Sequence, residues 1–187
     1  IQATVVDVGG TVVTVAPNSV YLTVGGQSLF IRLETDNKVA SGLVTYTKSF
    51  VALITDSAGN PIVGTPVQFK LKPADSPNAA YSKGFYQLLQ ISPTARGWVQ
   101  NVTAGCLNED KNYNGVLDPL EDENADGLLT PGNVASVNTN TLTDTAGFAT
   151  ANITYAKNYA YWANVTLEAK ISVAGTESVA NATLVLP

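Results

Sequence analysis

The sequence predicts an all-β fold of antiparallel sheets, and three observations carry that expectation. Apolar and polar residues alternate with a period of two along much of the chain, the repeat of a half-buried strand and not of a helix. Clusters such as DSAGNP at 56–61 and DTAG at 144–147 supply Asp, Gly and Pro where the chain must reverse. Only 13 % of the residues are charged, which suits a weakly charged, β-rich surface. No amphipathic run with helical period reaches helix length.

The elements follow in order. Residues 1–27 form a separate preface, an N-terminal strand segment or linker, with two valine-rich strand candidates split by Gly9 and Gly10. Two readings of it stand open: a strand or linker of this chain, or a strand that pairs with the sheet edge of a neighbouring subunit. FVALIT at 50–55 is almost continuously apolar and suits a central strand covered on both faces. Val67, Phe69 and Leu71 then alternate with Gln68, Lys70 and Lys72. Residues 72–136 show little regular strand signal and read as one long insertion, a length that a compact domain keeps for a purpose.

Alternation returns in Ala149, Ala151, Ile153 and Tyr155, and again from Tyr161 to Ile171 on odd-numbered positions. AGTES at 174–178 breaks the last run, with Gly175 suited to positive φ. Without preface and insertion, about 95 residues remain, close to the ~100 of an immunoglobulin-like antiparallel β-sandwich. The expected layout is therefore a preface at 1–27 and a sandwich at 28–187, with the insertion at about 72–136.

FVALITDSAGNPIVGTPVQFKL, followed later by TLTDTAGFATANITY, resembles the group 1 bacterial Ig-like domain of invasin- and intimin-type surface proteins. The residues that carry the likeness are Asp56, Gly59, Asn60, Pro61, Gly64, Val67 and Phe69, then Thr143, Asp144, Gly147 and Ala149. It covers roughly 45–71 and 141–187. The resemblance implies a sandwich at a bacterial surface, and it leaves function open because such folds host many roles.

The insertion holds an unusual concentration of charge. Seven of the fifteen acidic residues lie between Glu109 and Asp126, with Lys111 the only cation among them. From Asp110 the segment fits the calcium loop Asp-x-[Asp/Asn]-x-[Asp/Asn]-Gly-x5-Glu. Asp110, Asn112 and Asn114 take positions 1, 3 and 5, Gly115 allows the sharp turn at 6, and Val116 offers its carbonyl at 7. Asp118 at 9 and Glu121 at 12 complete the set. Twelve residues on, Asp122, Asn124, Asp126, Gly127 and Leu128 repeat positions 1, 3, 5, 6 and 7, but Asn133 at position 12 is a poor substitute for Glu. Hard oxygen donors from a flexible loop favour Ca²⁺ over zinc, copper or Mg²⁺. One to two Ca²⁺ ions are expected, and Pro119 and the abutting loops exclude an EF-hand helix pair. The arrangement resembles the tandem loops of dockerin and thrombospondin type 3 repeats, which implies ions that organise the chain and dock it on the sandwich.

Composition narrows the partners. A net charge of −5 with scattered basic residues argues against nucleic acid, and no run of eighteen apolar residues predicts membrane insertion. The chain has no histidine, so Ser-His-Asp and Cys-His sites are excluded. A glycosidase pair of carboxylates is the catalytic alternative, but the clustered carboxylates are better explained as metal ligands, and no enzyme is expected. Cys106 has no internal partner for a disulfide. The absence of Met leads us to expect a mature or excised fragment, and the resemblance to surface-protein domains implies a secreted or cell-surface location. Tyr81, Phe85, Tyr86 and Trp98 lie in the insertion and would build its own small core or stack on sugars, and Trp162 is expected beneath the insertion. The expected role is an extracellular structural or adhesive module whose partners are other domains or neighbouring subunits. The rivals are a filament or pilus subunit assembled by N-terminal strand exchange and a carbohydrate-binding module that takes surface glycans.

Overall fold

The computed structural model describes residues 5–6, 12–13, 29–74, 79–173 and 175–187. Strands β1 (Val5–Val6) and β2 (Val12–Val13) pair with each other. The rest of the preface, including both readings placed on it, lies outside the described residues.

Two antiparallel sheets form the body, in an arrangement compatible with a β-sandwich. In one, β3 (Phe30–Glu34), β5 (Thr45–Thr55), β11 (Phe148–Ala156) and β9 (Ala135–Val137) lie side by side in that order, with β4 (Ala40–Ser41) also on β5. In the other the order is β10 (Asn140–Leu142), β6 (Pro66–Pro73), β12 (Asn164–Val173) and β13 (Thr176–Val185). The helical structure among the described residues is one 3-10 turn, Lys157–Tyr159.

The period-two patterns decide which faces meet. Phe50, Ala52 and Ile54 of β5 and Ala149, Ala151, Ile153 and Tyr155 of β11 are buried on one side. Val67 and Phe69 of β6 and Val165, Leu167, Ala169 and Ile171 of β12 are buried on the other, and all join one core. Each large side chain so buried contributes about 1.5–3 kcal/mol relative to exposure. FVALIT is central as expected, between β3 and β11. Its second face, Val51 and Leu53, is only half-buried, so the cover expected on both sides is partial. The register β11↔β5 runs unbroken from Phe148↔Leu53 to Ala156↔Thr45.

The two Asp-x-x-Gly turns are built alike and sit together. Asp56 Oδ1 accepts the Ala58 and Asn60 amides at 2.9 and 2.8 Å, and Asp144 Oδ1 accepts those of Ala146 and Phe148 at 2.8 and 2.9 Å. Hydrogen bonding from Asn60 holds the Asp56 carboxyl below its ordinary pKa. Gly147, at φ +81°, accepts the Ile54 amide at 2.9 Å and lies against Pro61. The Gly64 amide donates to the Thr143 carbonyl at 2.9 Å.

The insertion corrects one expectation. Residues 72–136 contain two long strands, β7 (Tyr81–Ser92) and β8 (Ala95–Cys106), twelve residues each, paired as a hairpin. Its base is tied to the chain at and just before the start of β12: the Ser82 amide donates to the Trp162 carbonyl at 2.8 Å and the Asn164 amide to the Ala80 carbonyl at 2.9 Å. A second correction concerns Tyr161, expected to open an alternating strand. It sits before β12 at φ +62° and is 57 % exposed.

Candidate metal-binding loops

Residues 107–134, between β8 and β9, carry the acidic segment. Short Asp and Asn side chains fold it by accepting amides a few residues ahead, the usual local chemistry of these residues. In the first loop Asp110 takes the Asn114 amide on Oδ1 at 3.0 Å and the Gly115 amide on Oδ2 at 2.9 Å. Asn112 Oδ1 accepts the Asn114 amide at 2.9 Å and Asn114 Oδ1 accepts the Val116 amide at 2.7 Å. Asp118 Oδ2 receives the side-chain amides of Asn112 and Asn114, both at 2.8 Å. Glu121 reaches back over the loop, taking the Lys111 amide on Oε1 and the Asp118 amide on Oε2, each at 3.0 Å.

The second loop repeats this geometry. Asp122 takes the Asp126 amide on Oδ1 and the Gly127 amide on Oδ2, both at 3.0 Å. Asn124 Oδ1 accepts the Asp126 amide at 2.9 Å, and Asp126 Oδ1 accepts the Leu128 amide at 2.8 Å. Backbone angles match as well: φ is 59° and 57° at Tyr113 and Ala125, 76° and 75° at Gly115 and Gly127, and 76° and 66° at Leu120 and Gly132.

The structure adds one residue that the sequence reading missed. Glu109, ahead of the first loop, closes the second: its Oε1 accepts the Asn124 amide at 3.3 Å and its Oε2 the Thr130 amide at 2.8 Å. Asn133, assigned position 12 by sequence, does not fill that role. Glu109 and Glu121 are 3 % and 6 % exposed, the most buried carboxylates described. The signal was present in the sequence: aligned on glutamate, EDKNYNGVLDPL (109–120) and EDENADGLLTPG (121–132) are two twelve-residue units sharing six residues.

The loops rest on the body through β6. Lys70 Nζ donates to the Tyr113 carbonyl at 3.1 Å, and Lys72 Nζ lies 5.1 Å from the centre of the Tyr113 ring. Lys111 Nζ donates to the Asn108 carbonyl at 2.6 Å and pairs with Glu123 at 3.0 Å.

No protein-family model, no curated protein and no solved structure matches this chain. The findings give an all-β protein with two antiparallel sheets and assign it to no family.

The donors present suit a hard cation in kind. The side chains that accept backbone amides within the loops all end in a carboxylate or an amide, with no thiol or imidazole among them. Among the described residues no three carboxylates or thiols gather into a metal cluster by themselves, so each loop would also need its amide and carbonyl oxygens. Asn112 and Asn114 now turn their nitrogens to Asp118. Rotating those amides would bring their oxygens round instead.

A second feature lies under the hairpin. Tyr46, Tyr86, Trp98, Tyr161 and Trp162 line one cleft. The Tyr86 ring meets Trp162 edge-on at 5.6 Å, so the insertion does cover Trp162. Trp98 stays 69 % exposed.

Proposed function

We propose that this chain is a calcium-stabilised, immunoglobulin-like structural or adhesive module of a bacterial surface protein, working outside the cell without catalysis. The observation that carries the reading is the twofold repetition of one loop geometry, each copy closed by a buried glutamate. The strand orders β3-β5-β11-β9 and β6-β12-β13 support the fold half of it, since they match the Ig-type ABED and CFG orders, with β10 added beyond β6.

A bound Ca²⁺ would supply positive charge and a many-oxygen coordination shell. Asp110, Asn112, Asn114, Asp118, Glu121 and the Val116 carbonyl would hold one ion. Asp122, Asn124, Asp126, the Leu128 carbonyl and Glu109 would hold the second. The chain's own part is to order residues 107–134 and seat Tyr113 against Lys70 and Lys72. At millimolar external calcium and a dissociation constant near 10 μM, each site would add about 2.7 kcal/mol, against a total of ~5–15 kcal/mol. Thermal melting with and without EGTA tests this. A lower midpoint in chelator, restored by Ca²⁺, is expected, with the shift reduced but not abolished by Asp110→Ala, which removes one of the two sites; an unchanged midpoint refutes the calcium reading.

A second reading, glycan binding, is favoured by the cleft under the hairpin. There the exposed Trp98 shares the cleft with Tyr161, a residue 57 % exposed on left-handed backbone, and backbone strain of that kind gathers at functional positions. Glycan-array binding lost on Trp98→Ala would establish it, and an array without binding would exclude it.

A further inference from the structure

The cleft beneath the hairpin differs in charge from the rest of the chain. Its walls come from three places: Tyr46 of β5, residues of β7 and β8, and the turn from Lys157 to Trp162. The stretches that supply them, 45–55, 81–106 and 148–163, contain Lys48, Lys83, Arg96 and Lys157 and not one Asp or Glu. The protein as a whole carries −5, so this neighbourhood is set apart by sign, and a cleft lined by one sign draws ligands of the other.

Lys157 brings that charge into the cleft itself. Its backbone amide donates to the Val44 carbonyl at 3.0 Å, and its Nζ lies 5.0 Å from the centre of the Tyr46 ring. Among the described residues it joins no ion pair, whereas Lys48, Lys72, Lys111 and Lys170 are each paired with a carboxylate. An aromatic ring attracts an ammonium without neutralising it, so the charge stays available to a ligand.

The aromatic part of the cleft is held in place. Left-handed backbone is costly for a residue as bulky as Tyr161, and it is secured from both sides. Its amide donates to the Leu186 carbonyl at 2.6 Å, and its carbonyl accepts the Gln100 side-chain amide at 2.9 Å. Trp98 sits in register opposite Leu88 in the hairpin. Two exposed rings are thus carried on bonded backbone, with Gln100, Asn158 and Lys157 lining the same cleft. Its volume of about 750 Å³ falls within the ~300–1,000 Å³ of small-molecule sites. Rings interleaved with hydrogen-bonding groups suit a sugar, which has an apolar C–H face and a rim of hydroxyls.

We infer that the cleft takes an acidic oligosaccharide, one whose hexose units carry carboxylates. Trp98 and Tyr161 stack on the sugar rings, and the Lys157 ammonium pairs with a carboxylate. The inference rests on the glycan reading and narrows it to a ligand class. It makes no use of the metal loops.

Binding of the full chain to paired ligands tests it. Oligomers of galacturonate, glucuronate and mannuronate are each compared with the carboxyl-reduced, neutral oligomer of the same linkage. At least one uronate is expected to bind about tenfold tighter than its neutral partner, the worth of one charge-assisted contact. That excess should shrink as ionic strength rises. Lys157→Gln is expected to bring the uronate down to the level of the neutral oligomer, Lys157→Arg to keep the excess, and Trp98→Ala to remove binding of both. Equal binding of uronate and neutral oligomer overturns the inference while the glycan reading stands, as does an excess that survives Lys157→Gln. Absence of binding to every oligomer overturns the two together.

Discussion

Glu109 and Glu121, one repeat apart, do the same work in consecutive loops. Each carboxylate accepts an amide from the opening turn of a loop and the amide of its ninth residue, Thr130 for Glu109 and Asp118 for Glu121. Replacing Glu109 by Ala leaves two amides without their acceptor in a site only 3 % exposed. A cost of about 1–3 kcal/mol is expected, or several degrees of melting midpoint at about 2–4 °C per kcal/mol for a chain of this size. Glu121→Ala should cost as much. Calcium titration calorimetry separates the two, since each variant is expected to lose a different one of two binding events.

Gly147 ties the two Asp-x-x-Gly turns together. A Cβ there would stand 2.6 Å from the Ile54 carbonyl oxygen and 2.9 Å from the Pro61 Cβ, on backbone at φ +81°. Gly147→Ala is therefore expected to destabilise by about 1–3 kcal/mol through strain and displacement. Gly59→Ala has open space around its Cβ and should cost about 1 kcal/mol from φ alone. Urea unfolding of the pair measures the difference.

Tyr155 makes stability depend on high pH. Burial, with the neighbouring Tyr161 and Tyr46 hydroxyls adding to it, raises its pKa to about 12, against ~10 in the unfolded chain. The folded state thus prefers the neutral phenol. Its contribution is whole below pH ~10 and declines as pH rises towards 12. Tyr155→Phe should flatten that decline between pH 10 and 12 in denaturant midpoints. It should also remove the hydrogen bond to the Pro187 carbonyl.

The hairpin holds to the body at a few points, among them the Tyr86–Trp162 contact and the Gln100 side-chain amide bonded to the Tyr161 carbonyl at 2.9 Å. Tyr86→Ala is expected to speed hydrogen exchange across β7 and β8 several-fold while leaving β5 and β11 unchanged. Equal acceleration in all four strands would show that the hairpin belongs to the cooperative core.

The contrast between these elements shows what a sequence displays. β11 and β12 were legible because one face is buried and the other wet, so burial writes a period of two into the residues. The β7–β8 hairpin wrote no such pattern. Phe85 and Tyr86, like Leu88 and Leu89, are adjacent, apolar and exposed, so its two faces do not differ in polarity. The loops divide the same way. Asp110 and Asp122 fold their own next few residues and could be read locally. Glu109 acts fifteen and twenty-one residues away, and its partner could not be named from spacing measured forward from aspartate.

The Glu109 clasp also has a mechanical side. It pins the foot of β8 to Thr130, only a few residues before β9 begins. The twenty-one residues gathered behind it amount to about 70 Å of slack when drawn straight. A pull that separates those two strands meets the clasp first and the slack only after it gives way. In a protein under tension, this loop pair would behave as a reserve of length behind two fuses, the Glu109 clasp and then the Glu121 clasp that still holds the first loop.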